Sequence, residues 1–253
     1  MSHPAAPSAP PAPSPAVRLG DLAVRGGPEG VEFLRRSGLV SSRALRAFAG
    51  GTLVDRNTDK CVVRLEGPGG ALYLKRFREA RPTHLLKRVF SQGLRSLARI
   101  EAGNIGWLRA RGIATAEVVA WGATSLLGVD GASSFLAVRE LAGRRDLTGG
   151  GREALEAGAA VLVAMTERGF YWPDSKPKHF LHSPEAGTAV IDLHGGRPRR
   201  SLAGKEIAKM LGRFLAGLDP ERRAAARRIL EARGAGIADA ALRARFLRVL
   251  GRI

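Results

Sequence analysis

The chain is predicted to be an α+β protein of two lobes: an antiparallel sheet with one main helix, then a mostly helical lobe. Three observations predict it. Cys61-Val62-Val63-Arg64-Leu65 and Ala71-Leu72-Tyr73-Leu74-Lys75-Arg76-Phe77 flank a Gly67-Pro68-Gly69-Gly70 turn and read as paired strands. A strongly patterned helix follows, Leu94 to Arg111, closed by Gly112 as its C-cap. After Leu141-Ala142-Gly143 the texture turns glycine-rich and then helical, so the hinge is placed there. The predicted organisation is a disordered Pro/Ala-rich tail over 1–17, an N-terminal lobe over 18–141 and a C-terminal lobe over 142–253.

Each element has its own signal. Val31 to Phe48 reads as helix, with Phe33, Leu34, Leu45 and Phe48 apolar among arginines and a break near Ser37-Gly38. Gly50-Gly51 leads into Thr52 to Asp55 ahead of the strand pair. Alternation in the second strand puts Tyr73, Lys75 and Phe77 on one face and Leu72, Leu74 and Arg76 on the other. In the helix, Leu97, Glu101, Ile105 and Leu108 form one stripe, so Glu101 falls among buried positions. A carboxylate there is costly unless paired, and Lys75 is the available cation; the other reading has Lys75 snorkelling to solvent. Ile113 to Gly122 and Ser134 to Leu141 read as further strands around a turn at Gly128 to Gly131. Arg152 to Arg168 reads as a helix with Leu155, Ala159, Leu162 and Met165 or Thr166 inward. Three more helices close the chain: Ser201 to Leu218, one capped by Asp219 with Pro220 at its first position, and Asp239 to Leu250.

Composition bounds the function. The 253 residues are 45% hydrophobic and 25% charged, which is globular, and can bury a sizeable core. The single cysteine, Cys61, excludes an internal disulfide and fits a reducing compartment. Neither a signal peptide nor an apolar run long enough to span a bilayer is visible, so the expected location is the cytoplasm, at most touching a membrane surface. Net charge is +18, from 41 basic and 23 acidic residues. Such a surplus attracts polyanions or reflects base composition alone, and clustering has to decide. Arg76 to Arg99 supplies a cluster: Arg78, Arg81, Lys87, Arg88, Arg95 and Arg99 interleave with Leu85, Leu86, Val89 and Phe90. It reads either as a surface for anionic lipid or glycolipid or as a solvated helix face. No stacking platform or motif for nucleic acid accompanies the arginines.

The chemistry is concentrated in Gly169 to His194. Asp174 and Asp192 sit at the two ends of a predicted hairpin, Phe180-Leu181 and Ala189-Val190-Ile191 around Ser183-Pro184-Glu185-Ala186-Gly187, which returns both acids to one end. Lys176 and His179 lie between them. Two acids and a lysine converging there is what phosphoryl transfer requires: a base for the attacking hydroxyl, a metal anchor and a cation on the moving phosphate. Each acid alone is equally a turn cap or a strand end; the pair in this order, with the lysine between, favours chemistry. A metal site drawn from His179, His182, Asp192 and His194 has suitable residues but no established ligand spacing.

Asp174-Ser175-Lys176-Pro177-Lys178-His179 has the D-x-K-P-x-N frame of a protein-kinase catalytic loop, with His179 in place of asparagine, and Val190-Ile191-Asp192-Leu193-His194 stands where the metal aspartate lies. With Lys75 and Glu101 upstream, the chain resembles the protein-kinase-like superfamily, and more narrowly the lipopolysaccharide core kinases, the Kdo/heptose kinase family. The resemblance covers about residues 50 to 200. It rests also on Leu108 to Thr115, Ala120-Trp121-Gly122 and Val138-Arg139-Glu140-Leu141 to Asp146-Leu147. It implies a bilobal kinase-like fold and a cytoplasmic, ATP- and Mg2+-dependent enzyme. That enzyme would phosphorylate a sugar hydroxyl of the lipopolysaccharide inner core, an anionic glycolipid met at the inner membrane surface. By the same resemblance Lys75 would hold the α/β-phosphates and Glu101 would orient it. Asp174 would accept the hydroxyl proton, Lys176 would neutralise the moving phosphoryl, His179 and Asp192 would serve the metal, and backbone around Glu140 and Leu141 would meet adenine. Trp172-Pro173 departs from the family, which shows a histidine before the catalytic aspartate. The departure opens the alternative of a kinase-like pseudoenzyme that binds nucleotide or a partner without chemistry.

Overall fold

The structure is a computed structural model, and it describes residues 15–67, 69–78, 95–126 and 129–253. Most of the basic segment between Arg78 and Arg95, and most of the Pro/Ala-rich tail, therefore lie outside the described residues. The chain divides into two compact units. One holds the described residues up to Ile105 together with Ala116–Glu140, and the other holds Gly106–Thr115 and Leu141–Ile253.

The first unit is built on a seven-stranded antiparallel sheet. Its strands are β1 (Val17–Leu19), β2 (Leu22–Gly26), β3 (Thr52–Arg56), β4 (Lys60–Gly67), β5 (Gly70–Arg78), β6 (Val118–Leu126) and β7 (Val129–Arg139). Their spatial order is β1-β2-β6-β7-β5-β4-β3. The expected pair is β4–β5, in register from Lys60↔Phe77 to Gly67↔Gly70. The structure adds β1 and β2, which sequence pattern missed. Val17, read as the end of the tail, opens β1, and β2 runs along β6 from Leu22↔Thr124 to Gly26↔Ala120. The predicted strand from Ile113 begins only at Val118, and the one predicted from Ser134 begins earlier, at Val129.

Two short helices, α1 (Pro28–Arg36) and α2 (Ser42–Ala47), are the predicted interrupted helix. The break has a cause: Gly38 adopts φ 68°, and Ser41 then caps α2 by accepting the Ala44 amide at 3.1 Å. Phe33, Leu34, Leu39 and Leu45 join Leu72, Leu74, Val63, Phe135 and Ala137 in one core, so these helices cover the Leu72/Leu74 face of β5. The opposite face of the same strand presents Lys75 to the helix α3 (Leu97–Arg109). The buried stripe of α3 runs Ala98, Glu101, Ile105 and Leu108, starting one residue later than the pattern suggested.

The second unit contains α4 (Arg152–Glu167), α5 (Gly204–Ala216), α6 (Pro220–Ala235) and α7 (Ala240–Leu250). Asp219 and Asp239 cap α6 and α7 by accepting the amides of Arg222 and Leu242. Small strands frame the chemistry: β8 (Arg145–Asp146), β9 (Phe170–Tyr171), the hairpin β10 (Phe180–Ser183) and β11 (Gly187–Val190), and β12 (Arg197–Pro198). The hairpin is in register from Phe180↔Val190 to Ser183↔Gly187, with Gly187 at φ 68° closing its turn. No helix among the described residues is long and apolar enough to cross a membrane.

Candidate active site

In the first unit, Lys75 and Glu101 meet. Lys75 Nζ lies 2.5 Å from Glu101 Oε1, with the residues only 8% and 1% exposed. The β5 pleat and the helical spacing of α3 each deliver one charged group to an interior position, where the other offsets the cost of its burial. Glu140, which follows β7, is held across the sheet. Arg64 on β4 donates to both carboxylate oxygens, at 2.9 and 3.0 Å, and the Tyr73 hydroxyl donates at 3.0 Å. The Arg64 guanidinium holds the Glu140 carboxyl below the usual carboxylate range, against the opposing effect of desolvation. The Glu140 amide donates to Ala71 O at 2.8 Å.

In the second unit, the predicted catalytic stretch forms one cluster. After α4, Gly169 turns the chain at φ 71°, β9 follows, and Trp172 and Pro173 lead to Asp174. The Asp174 carbonyl accepts from the Lys176 amide and from His179 Nδ1, both at 2.8 Å. A 3-10 turn over Pro177–His179 then starts β10. Ser175, fully buried, donates to Met210 O on α5 at 2.8 Å and fastens the loop underneath. Lys176 Nζ sits 2.7 Å from Asp174 Oδ1, so the acid has a cation at hand. At the far end of the hairpin the Ile191 amide donates to His179 O at 3.0 Å, which returns Asp192 to the same end, as predicted.

His179 decides what the cluster can hold. A carbonyl only accepts, so the contact with Asp174 O requires the proton on Nδ1 and leaves the Nε2 lone pair free, 3.7 Å from Asp192 Oδ2. Burial is the largest influence on the imidazole and lowers its pKa, keeping the ring neutral near pH 7. One donor atom each from Asp174, His179 and Asp192 lies within 4.8 Å of the others. Two carboxylates and a neutral imidazole aimed inward fit a divalent cation; the nitrogen suits manganese better than magnesium, which favours oxygen.

Two further residues bear on Asp192. His194, one of the four residues weighed for a metal site, lies in a turn and places Nδ1 2.8 Å from Asp192 Oδ1. Its signal was only its i+2 spacing from an acid. Trp172, which stands where the resemblance expects a histidine, is completely buried and donates its indole N–H to the Asp192 carbonyl at 3.3 Å. Asp192 is itself unusual: φ is 61°, the left-handed region that side chains other than glycine seldom enter. His182 pairs with Thr188 across the hairpin at 2.9 Å instead of joining the cluster.

No family model and no curated protein matches the chain. Among solved structures it is similar to WaaP, determined in complex with acyl carrier protein, at 22% identity and a TM-score of 0.57, covering 91% of this chain and 98% of that one. Two kinase structures share less of it. Vaccinia-related kinase 3 gives 12% identity and a TM-score of 0.35 over 66% of this chain and 56% of that one. A further kinase domain gives 12% and 0.42 over 71% and 62%. Neither score carries an argument. The WaaP comparison spans nearly the whole of both chains, and with it the sheet, the α3 helix and the helical second unit have the bilobal protein-kinase-like fold.

Proposed function

We propose that the chain is a kinase that transfers the γ-phosphoryl group of ATP to a sugar hydroxyl of the lipopolysaccharide inner core, a Kdo or a heptose. The observation that carries the reading is the cluster of Asp174, Lys176, His179 and Asp192 on one hairpin end, in a chain that also pairs Lys75 with Glu101. The fold shared with WaaP, a lipopolysaccharide core kinase, supports the same class of acceptor.

In this reading Lys75, oriented by Glu101, grips the α/β-phosphates. Asp192 and His179 hold Mg2+ or Mn2+, with Asp174 in reach, and the ion when bound screens the phosphate charge. The acceptor oxygen attacks the γ-phosphorus as its proton passes to Asp174, and ADP departs with the electrons of the broken P–O bond. Lys176 offsets charge on the transferred group. The backbone at Glu140 and Leu141 receives adenine. The surplus of basic residues draws the acidic acceptor, and the enzyme works at the inner membrane surface. We extend to this chain the association in which WaaP was captured, with acyl carrier protein; co-elution of the two purified proteins tests it.

Turnover of ATP with purified lipopolysaccharide core tests the main reading. Asp174→Asn is expected to lower it at least about a hundredfold. A wild-type protein that binds nucleotide but never turns it over, with Asp174→Asn behaving alike, would make the chain a binding protein instead.

A further inference from the structure

We propose that Trp172 is a positioning residue whose indole N–H fixes the peptide carrying Asp192. The inference rests on the kinase reading and deepens it. Asp192 holds a left-handed backbone at φ 61°, a conformation uncommon for residues other than glycine, though aspartate enters it more readily than most. The Asp192 carbonyl accepts the Trp172 Nε1–H at 3.3 Å. That contact fixes the plane of the peptide linking Asp192 to Leu193, and with it the direction of the Asp192 side chain. The turn is closed beyond by the Gly196 amide on Leu193 O at 3.0 Å. The carboxylate is bounded separately, by His194 Nδ1 at 2.8 Å and His179 Nε2 at 3.7 Å. Main chain and side chain of the proposed metal ligand are thus held by different residues.

Trp172 is well placed for the task because it cannot move. It is completely buried, its ring 5.2 Å from Phe180 and 6.2 Å from His179 between centroids, and Phe180 in turn meets Phe214 edge-on at 5.2 Å. Histidine is the side chain that could present a comparable donor. The pyrrole half of indole and imidazole are both five-membered rings attached through Cγ. Indole Nε1 and imidazole Nε2 stand the same number of bonds from Cβ, so either ring offers an N–H at a similar reach. Phenylalanine fills much of the same space without a donor.

That difference separates a clamp from an ordinary core tryptophan. Trp172→Phe is expected to keep its unfolding midpoint near that of wild type. It should lower kcat about tenfold and weaken binding of Mn2+ with a non-hydrolysable ATP analogue by a similar factor, measured by calorimetry, the size of one lost buried hydrogen bond. Trp172→His is expected to fold less stably, because it leaves a void, yet to keep kcat and Mn2+ affinity within about threefold. The reverse ranking, equal losses in both variants, or no loss in Trp172→Phe overturns the proposal. If the wild type transfers no phosphate, the enzyme reading fails while the Mn2+–nucleotide ranking still decides the clamp.

Discussion

The Lys75–Glu101 pair has the least freedom of any charged contact described, with a 2.5 Å separation and almost no exposure. Removing either charge alone leaves the other buried without its 2.5 Å ion-pair partner, which is costly. Glu101→Gln is therefore expected to destabilise the chain by about 3 kcal/mol, and Lys75→Met similarly. Lys75→Met with Glu101→Leu removes both charges and should recover most of that stability while losing nucleotide affinity. Urea unfolding and nucleotide titration of the two single variants and the double variant check it. A double variant less stable than either single would mean that the two residues act independently. Sequence reading reached this pair because two periodicities, the strand's and the helix's, each placed a charged residue where an apolar one belongs. It could not reach His194 or the indole contact, since hydrogen bonds to a carboxylate two residues away or to a carbonyl on another strand end leave no periodic trace.

At the level of elements, short-range signals were legible and long-range pairings were not. The β10–β11 hairpin, the α4 stripe and the Asp219 and Asp239 caps follow from neighbours in sequence. β1 and β2 are short and owe their existence to β6, far along the chain, as Leu22↔Thr124 shows. Two junctions hold the elements in place and can be tested. Gly169 at φ 71° joins α4 to β9, and a Cβ there would meet Arg199 O at 2.4 Å, a backbone atom that cannot swing away. Gly169→Ala is expected to cost about 1–3 kcal/mol and to lower the unfolding midpoint. The second junction ties three strands through Glu140, Arg64 and Tyr73. The folded carboxyl titrates below the ordinary glutamate value of 4.5, chiefly because of Arg64. A lowered pKa means that the group adds stability above pH 4.5 and loses it as pH falls through the folded value. The stability difference between wild type and Glu140→Gln should therefore shrink as the solution is acidified below about pH 4.5, read from urea midpoints. A difference constant with pH would exclude the ion pair as its source.

Across the whole molecule the dominant quantity is the net charge of +18, which opposes compactness and must be tolerated for a reason. Part of it is structural. Arg223 donates to the carbonyls of Leu215 and Leu218, Arg243 to Ile237 and Arg245 to Leu202, so these guanidinium groups close carbonyl ends inside the second unit. Arg227, Arg228, Arg233, Arg248 and Arg252 stand on or just after α6 and α7, half-buried to exposed. If the acceptor is an anionic glycolipid at a membrane surface, these charges should act at long range, through a potential that salt screens within about 8 Å at physiological ionic strength. Binding to phosphatidylglycerol vesicles is then expected to fall steeply between low and physiological salt, and phosphatidylcholine vesicles should bind little at either. The Michaelis constant for lipopolysaccharide core should rise over the same range, whereas that for ATP, if Lys75 grips its phosphates as proposed, should change much less. Affinity for anionic vesicles that is indifferent to salt would assign the surplus charge to composition alone and remove it from the account of substrate capture.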